Sequence, residues 1–417
     1  MMLPNMKMKG FDTMSLNTTP AGERVHIGIF GKRNAGKSSV INALTGQDLA
    51  IVSDVKGTTT DPVYKAMELL PLGPVMIIDT PGLDDEGDLG LKRMEKAYQV
   101  LNKTDIALLV VDAALGIASE DIAIIKQFQA KKLNFLVIFN KADMLKTPIN
   151  CPVEYKPYSI EISSTTKKNI TELKEKIAHL VPSDNMTLRI VGDLLQPEDF
   201  VVLVVPVDSA APKGRLILPQ QQTVRDILEA HAVSIVVQTP QLKQTLAALG
   251  KKPKMVITDS QAFAQVSQDT PEDILLTSFS ILFARYKGDL ATAVAGAKML
   301  DSLEDGDKVL ISEGCTHHRQ CDDIGTVKLP KWIENYTGKK PVFEFSSGTE
   351  FPRDLSAYKL IVHCGACMVN EKEMQYRIAH SLQENIPITN YGIAIAYMHG
   401  ILLRSLQAFP NIANILK

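Results

Sequence analysis

Two groups of residues have types and spacings that could do chemistry. The first opens with Gly31-Lys32-Arg33-Asn34-Ala35-Gly36-Lys37-Ser38, the pattern G-x-x-x-x-G-K-S, directly after the apolar run 25–30 and before the helix-like stretch Ser39 to Leu44. Gly31 and Gly36 let backbone N–H groups turn inward around phosphate oxygens beside Ala35, and the helix N-terminus that follows, at Ser38 and Ser39, favours the same negative charge. Lys37 in such a loop reaches the β and γ phosphates, and the Ser38 hydroxyl joins the shell of a Mg2+ ion. Asp79-Thr80-Pro81-Gly82 follows the run 75–78, placing a carboxylate near Mg2+ and the Gly82 N–H where a γ-phosphate lies. Asn140-Lys141-Ala142-Asp143 ends the run 135–139. A carboxylate at Asp143 accepts from both N1–H and the 2-amino group of guanine; adenine has neither donor there, so the pattern selects GTP over ATP. Gly57-Thr58-Thr59-Thr60-Asp61 lies where a mobile loop supplies a hydroxyl to Mg2+, and Ser163-Ser164 fits the last base-contacting loop.

The second group is Cys315-Thr316-His317 with His363-Cys364-Gly365-Ala366-Cys367, a C-x-H…H-C-x-x-C constellation. It takes three of the chain's five cysteines and two of its eight histidines, and in a reducing compartment that clustering argues for metal. Spacing alone leaves two sets equally open. Three thiolates and a histidine make a closed structural Zn2+ site, and three thiolates with a weaker fourth ligand suit a 4Fe–4S cluster with one accessible iron. The candidates for that fourth ligand are His317, His363 and Asp322, with Glu313, Cys321 and Asp323 also within reach. On an extended chain, adjacent His363 and Cys364 point opposite ways, so both need not bind one cluster.

The elements that must position these groups follow from the apolar pattern. Runs at 25–30, 75–80, 106–113 and 135–140, separated by amphipathic stretches, read as buried strands of a mostly parallel sheet covered on both faces. A second, smaller α/β unit has strands at 200–207 and 234–239. Its helix at 223–232 carries Val224, Ile227, Leu228 and His231 on one apolar face. The unbroken apolar character of Val201 to Val205 suggests that a partner subunit covers one of its faces. A third unit has helices at 272–286 and 291–303 and strands at 308–312, 342–346 and 359–363. Cys315 and Cys364 sit just past two of these strands, where ligands gather in open α/β sheets. The expected fold is thus α/β throughout, with domains at 1–183 (1–22 being a flexible N-terminus), 184–267 and 268–417.

Composition excludes several classes. A net charge of −2 gives no electrostatic reason for general binding to nucleic acid or anionic membrane. Five cysteines in 417 residues are too few for a secreted disulfide framework. The start has no apolar stretch of a signal peptide, and Tyr391 to Leu403 is too short to span a bilayer. A cytoplasmic protein is expected, without nucleic acid or membrane partners.

The first unit resembles the TrmE/Era/EngA-like class of GTPases, which carry G-x-x-N-x-G-K-S and G-T-T-x-D; Asn34 and the segment 57–61 match both. The resemblance implies Thr59 as a Mg2+ ligand beside Ser38, and Asn34 as a K+ ligand. The K+ then neutralises charge between the β and γ phosphates in place of an arginine finger. Lys37, Thr59, Asp79 and Gly82 become the catalytic set. Leu83 stands where the Ras pattern has a glutamine that orients water, so intrinsic hydrolysis is expected to be slow. Joined to the cysteine constellation, the whole chain after the first twenty or so residues resembles the HydF family of FeFe-hydrogenase maturation GTPases. That resemblance implies an N-terminal P-loop GTPase domain, a homodimer formed through a small α/β dimerisation domain, and a C-terminal α/β domain. In that last domain Cys315, Cys364 and Cys367 hold a 4Fe–4S cluster. It also implies a scaffold or carrier that receives a diiron precursor made with the radical-SAM maturases HydE and HydG and passes it to apo FeFe-hydrogenase. The competing expectation is a ribosome- or tRNA-associated GTPase with a zinc-binding accessory domain; a redox enzyme lacks a second cofactor site in the sequence.

Overall fold

A computed structural model describes residues 19–46, 61–82, 96–145, 149, 151–181, 189–206, 216–314, 323–348, 350–366 and 368–417. Its strands fall into three sheets. The first has the order β2-β3-β1-β4-β5-β6, from Val25–Phe30 (β1), Val63–Leu69 (β2), Gly73–Asp79 (β3), Ile106–Asp112 (β4), Asn134–Asn140 (β5) and Ser159–Glu161 (β6). All neighbours run parallel except β2, which pairs antiparallel with β3 and leaves Val63 and Tyr64 exposed at the edge. The inner strands are buried on both faces. Ile27, Ile29, Leu108 and Ile138 face the helices Lys37–Thr45 and Ile170–His179, and Phe30, Leu109, Val137 and Phe139 face the helix Ser119–Ala130. That two-sided burial is why these segments read as continuous apolar runs.

The second sheet is wholly parallel, in the order β10-β9-β7-β8, from Phe200–Val204 (β7), Val233–Val237 (β8), Met255–Thr258 (β9) and Leu275–Ser278 (β10). Three sequence expectations are corrected here. Residues 272–286 do not form one helix: Leu275–Ser278 is a strand, and the helix Phe279–Lys287 starts only where Ser278 Oγ accepts from the Ile281 N–H at 3.2 Å. The strand β7 needs no partner subunit for cover, because Val201 and Leu203 pack into one core and Val202 and Val204 into another, all within this chain. The apolar stripe of the helix Leu218–Glu229 stops short of His231, which is exposed and left-handed at φ 57°. Leu228 is likewise 57% exposed.

The third sheet has the order β12-β11-β13-β14, again all parallel, from Lys308–Glu313 (β11), Val342–Ser347 (β12), Leu360–His363 (β13) and Ile388–Asn390 (β14). Its core joins Val309, Ile311, Leu360 and Val362 to Leu329 and Ile333 of the helix Leu329–Thr337 and to Ala394 and Ile395 of the helix Tyr391–Met398. No helix among the described residues is long and apolar enough to cross a membrane.

The first and third units touch. Lys287, only 3% exposed, pairs with Glu23 at 2.9 Å and donates to the Val369 carbonyl at 3.3 Å. The Asn370 amide donates to the Lys103 carbonyl at 2.7 Å. The segment directly after the cysteine pair is therefore held by the end of the first sheet opposite the phosphate loop.

Candidate functional site

The phosphate loop leaves β1 and enters the helix Lys37–Thr45 through two left-handed glycines, Gly31 at φ 142° and Gly36 at φ 92°. A Cβ on Gly31 would lie 2.2 Å from the Val110 carbonyl oxygen, and one on Gly36 would lie 2.3 Å from Asn140 Nδ2, so the sheet and the loop fit only around glycine. Ala35 is buried, Ser38 half-buried and Ser39 exposed. The Lys37 ammonium donates to the carbonyls of Gly31 and Lys32, each at 2.8 Å, which centres it on the loop. Asn34 is exposed and left-handed at φ 60°. Asp79 ends β3, and burial raises its carboxyl above the usual range, with Lys37 and Lys65 pulling it back. The Thr80 hydroxyl donates to the Ile29 carbonyl at 2.7 Å, fastening the Asp79–Gly82 turn to β1. Thr58, Thr59 and Leu83 lie outside the described residues.

The base-contacting residues converge on the same sheet edge. Asn140, 1% exposed, donates to the Ala35 carbonyl at 3.3 Å and accepts from the Ser164 N–H at 3.1 Å, joining the two loops. Ser163 is fully buried, and its hydroxyl oxygen accepts from the Thr166 N–H at 3.0 Å. It braces the loop, while Ser164 fronts the cleft. Asp143 is exposed in the short turn Ala142–Met144. Lys141 donates to the Asn34 carbonyl at 2.8 Å and to Asp112 at 2.6 Å. Sequence reasoning misses Asp112, although its place at the carboxyl end of the run 106–112 was a usable signal. Ser39, Asn42, Gly46, Ser164 and Lys167 line an open cleft of about 340 Å³ between the phosphate loop's helix and the 163–168 turn. A cleft of that size beside a phosphate cradle suits a nucleotide.

At the third sheet, β11 and β13 are parallel neighbours with Ser312 opposite His363, so the chain leaves both strands side by side toward Cys315 and Cys364. The Gly314 N–H donates to Cys364 Sγ at 3.1 Å. This is a bond that favours a thiolate, and N–H bonds to sulfur tune iron–sulfur sites. Cys364 is the one cysteine of the constellation among the described residues, and no group of three His, Cys, Asp or Glu side chains among them is placed to hold a metal ion. Cys315, His317, His318, Cys321, Asp322 and Cys367 lie outside the described residues. Glu313, buried at the end of β11, accepts from the Tyr391 hydroxyl at 3.4 Å. His363 is fully buried, its Nδ1–H donating to the Cys364 carbonyl at 2.9 Å and its Nε2 lying 2.9 Å from Arg377 Nη1. Burial, and then Arg377, push the imidazole down to about 3, so it is neutral.

The first sheet, with phosphate loop, Asp79 turn and Asn140-Lys141-Ala142-Asp143 at one edge, defines a P-loop GTPase domain joined to two further parallel α/β units. Residues 26–141 match the model of the 50S ribosome-binding GTPases, 190–288 that of the hydrogen maturase F dimerization domain, and 291–408 that of the hydrogen maturase F tetramerization domain. The two hydrogen maturase F models together span just over half of the chain, and the chain belongs to the hydrogen maturase F family. Both of those domains are self-association domains. Among individual proteins, the chain is 32% identical to the GTPase Der of Kosmotoga olearia over 220 residues, 49% of each chain. It is 37% identical to the tRNA modification GTPase MnmE of Desulforamulus reducens over 165 residues, 38% of this chain and 35% of that one. The chain thus spans half or less of the length of these curated relatives. A solved structure of Aquifex aeolicus Era bound to GDP and AlF4− matches 51% of this chain and 92% of that one, at 21% identity and a TM-score of 0.33.

Proposed function

We propose that this chain is a GTP-hydrolysing maturation factor that holds a 4Fe–4S cluster on Cys315, Cys364 and Cys367 and carries a diiron precursor to apo FeFe-hydrogenase. The observation that carries the reading is the side-by-side exit of the chain from β11 and β13, with the Gly314 N–H on Cys364 Sγ, in a chain that also has a GTPase domain. When bound, the cluster would supply an iron whose fourth position exchanges easily, a point of attachment for delivered cargo. His317 and Asp322 are the proposed candidates for that position, since both ring nitrogens of His363 are already hydrogen-bonded. In the first unit Ser38 and Thr59 would hold Mg2+, which supplies positive charge at the β and γ phosphates, and Asn34 would hold K+. Lys37 steadies the γ-phosphate, Gly82 offers its N–H, and Asp143 reads guanine. HydE, HydG and the apo-hydrogenase are the proposed partners, and the cytoplasm the proposed compartment. Self-association has a fitting surface in β8, an edge strand whose Val233 and Val236 are 39% and 45% exposed.

Anaerobic purification followed by iron and sulfide analysis, an optical spectrum and EPR of the reduced protein tests the proposal. A brown protein with four irons and a 4Fe–4S signal is expected. A colourless chain with one equivalent of zinc would replace it with the zinc-accessory reading.

A further inference from the structure

Among the described residues, Arg377 is the largest side chain that is fully enclosed, at 1% exposed. A guanidinium taken out of water costs several kcal/mol unless its donors are matched, so its partners show what the fold gains by enclosing it. Nε donates to Glu373 at 2.9 Å, one turn away on the helix Glu371–Gln383. Nη1 donates to His363 Nε2 at 2.9 Å and lies 3.4 Å from Ser312 Oγ. Nη2 donates to the Gly348 carbonyl at 2.8 Å, and the ring of Phe351 stacks 5.1 Å from the guanidinium carbon. Ser312 lies in β11, Gly348 follows β12, and His363 ends β13. One side chain therefore ties the carboxyl ends of three of the four strands in this sheet, at the edge from which the cysteine segments leave. Through His363, whose Nδ1–H donates to the Cys364 carbonyl, the same tie reaches the start of the cysteine segment.

We propose that Arg377 is the positioning residue for the turn entered at Cys364, acting through His363, which is thereby a strut and not a metal ligand. The lone pair of Nε2 is spent on Arg377, and the Nδ1 proton on the Cys364 carbonyl, so neither nitrogen is left for iron. The loop is shaped before any metal arrives, as outer partners of metal ligands commonly do. In naming the turn a cluster-holding one the inference rests on the proposed function, but the preorganisation does not.

The test uses the full chain in two forms. In the metal-free protein, amide hydrogen exchange of residues 364–370 is followed in Arg377→Lys, His363→Ala and His363→Gln. Lysine keeps the charge opposite Glu373 but not the fork; glutamine can still accept from Arg377 and donate to the Cys364 carbonyl. Exchange at least about tenfold faster is expected in Arg377→Lys and His363→Ala, with His363→Gln near the parent. In the reconstituted protein, loss of iron to a chelator should quicken about 10–100-fold in the same two variants, the usual cost of losing such a partner, and stay near the parent in His363→Gln. Parental exchange in Arg377→Lys, or a His363→Gln protein with parental exchange and a changed EPR signal, would overturn the proposal, the latter by making His363 a ligand. Should Arg377→Lys fail to fold, the Ala and Gln pair at His363 decides alone. A parent chain that takes up no cluster defeats the proposed function, while the exchange arm still judges Arg377.

Discussion

Gly36→Ala should cripple nucleotide binding by an amount the structure lets one apportion. Gly36 sits at φ 92° and ψ 28°, a left-handed conformation that costs an L-residue roughly 1–2 kcal/mol. The new Cβ would also fall 2.3 Å from Asn140 Nδ2, so Asn140 must move. That amide is buried, and it holds the Ala35 carbonyl and the Ser164 N–H. Each buried group left unpaired costs about 1–3 kcal/mol. The sum is about 3–8 kcal/mol, and at about 1.4 kcal/mol per tenfold GDP affinity should fall by at least about 100-fold. Gly46→Ala is the control. Gly46 caps the same helix at φ 68°, at the rim of the cleft but with no atom within 4 Å of its added Cβ, so it meets the backbone cost alone, about 1–2 kcal/mol, and should lose no more than about 30-fold. Titration with a fluorescent GDP analogue measures both. If Gly36→Ala binds within threefold of the parent, or if the two variants fall equally, the loop is not braced by Asn140 and the apportionment is wrong.

Three further outcomes follow. Asp143→Asn should weaken GTP and improve xanthosine triphosphate, whose 2-oxo group pairs with an amide donor; equal ATP and GTP affinities in the parent would remove guanine selection. Hydrolysis should run faster in K+ than in Na+ at matched ionic strength and lose the difference in Asn34→Ala; indifference to the cation leaves Asn34 only its left-handed turn and the bond from Lys141. Below the sheet, burial raises Asp105 to about 6 and lowers His26 to about 4, and the His26 Nδ1–H is committed to the Arg24 carbonyl at 2.8 Å. From pH about 3.9 to 6 the folded chain holds a proton on Asp105 that the unfolded chain has lost, so this group makes stability fall as pH rises. From about 4 to 6.5 the unfolded chain binds a proton at His26 that the folded one refuses, so stability rises with pH, and at about 1.4 kcal/mol per pH unit the two trends, about 3 kcal/mol each, oppose. Denaturant midpoints across pH 4–7 should therefore fall with pH in His26→Gln and rise in Asp105→Asn; parallel profiles in the two variants would refute the opposition.

What could be read from the sequence depended on whether a residue's role was set locally or by folding. The first sheet was legible because burial on both faces writes itself as Val/Ile/Leu runs, and the phosphate loop because its glycines, lysine and serine act within eight consecutive residues. The short parallel strands Met255–Thr258, Leu275–Ser278 and Ile388–Asn390 were not, since three or four residues show no period of their own. At 272–286 a usable sign existed: Ser278 followed by an apolar run is an N-cap, and it marks where strand gives way to helix. The cysteine segments could be placed at strand ends from the sequence, but that the two strands are neighbours is a fact of sheet order, with β12 on the far side of β11. Arg377 was hidden for a different reason. Glu373 and Arg377 stand four apart on a charged helix, the spacing of an ordinary surface ion pair, and mean hydropathy cannot separate that from a pair enclosed by Phe351, His363 and Ser312. Only the return of the helix across the carboxyl edge of the sheet turns a solvated charge into the tie that fixes the loop, so the residues that shape this site are those whose surroundings come from distant chain.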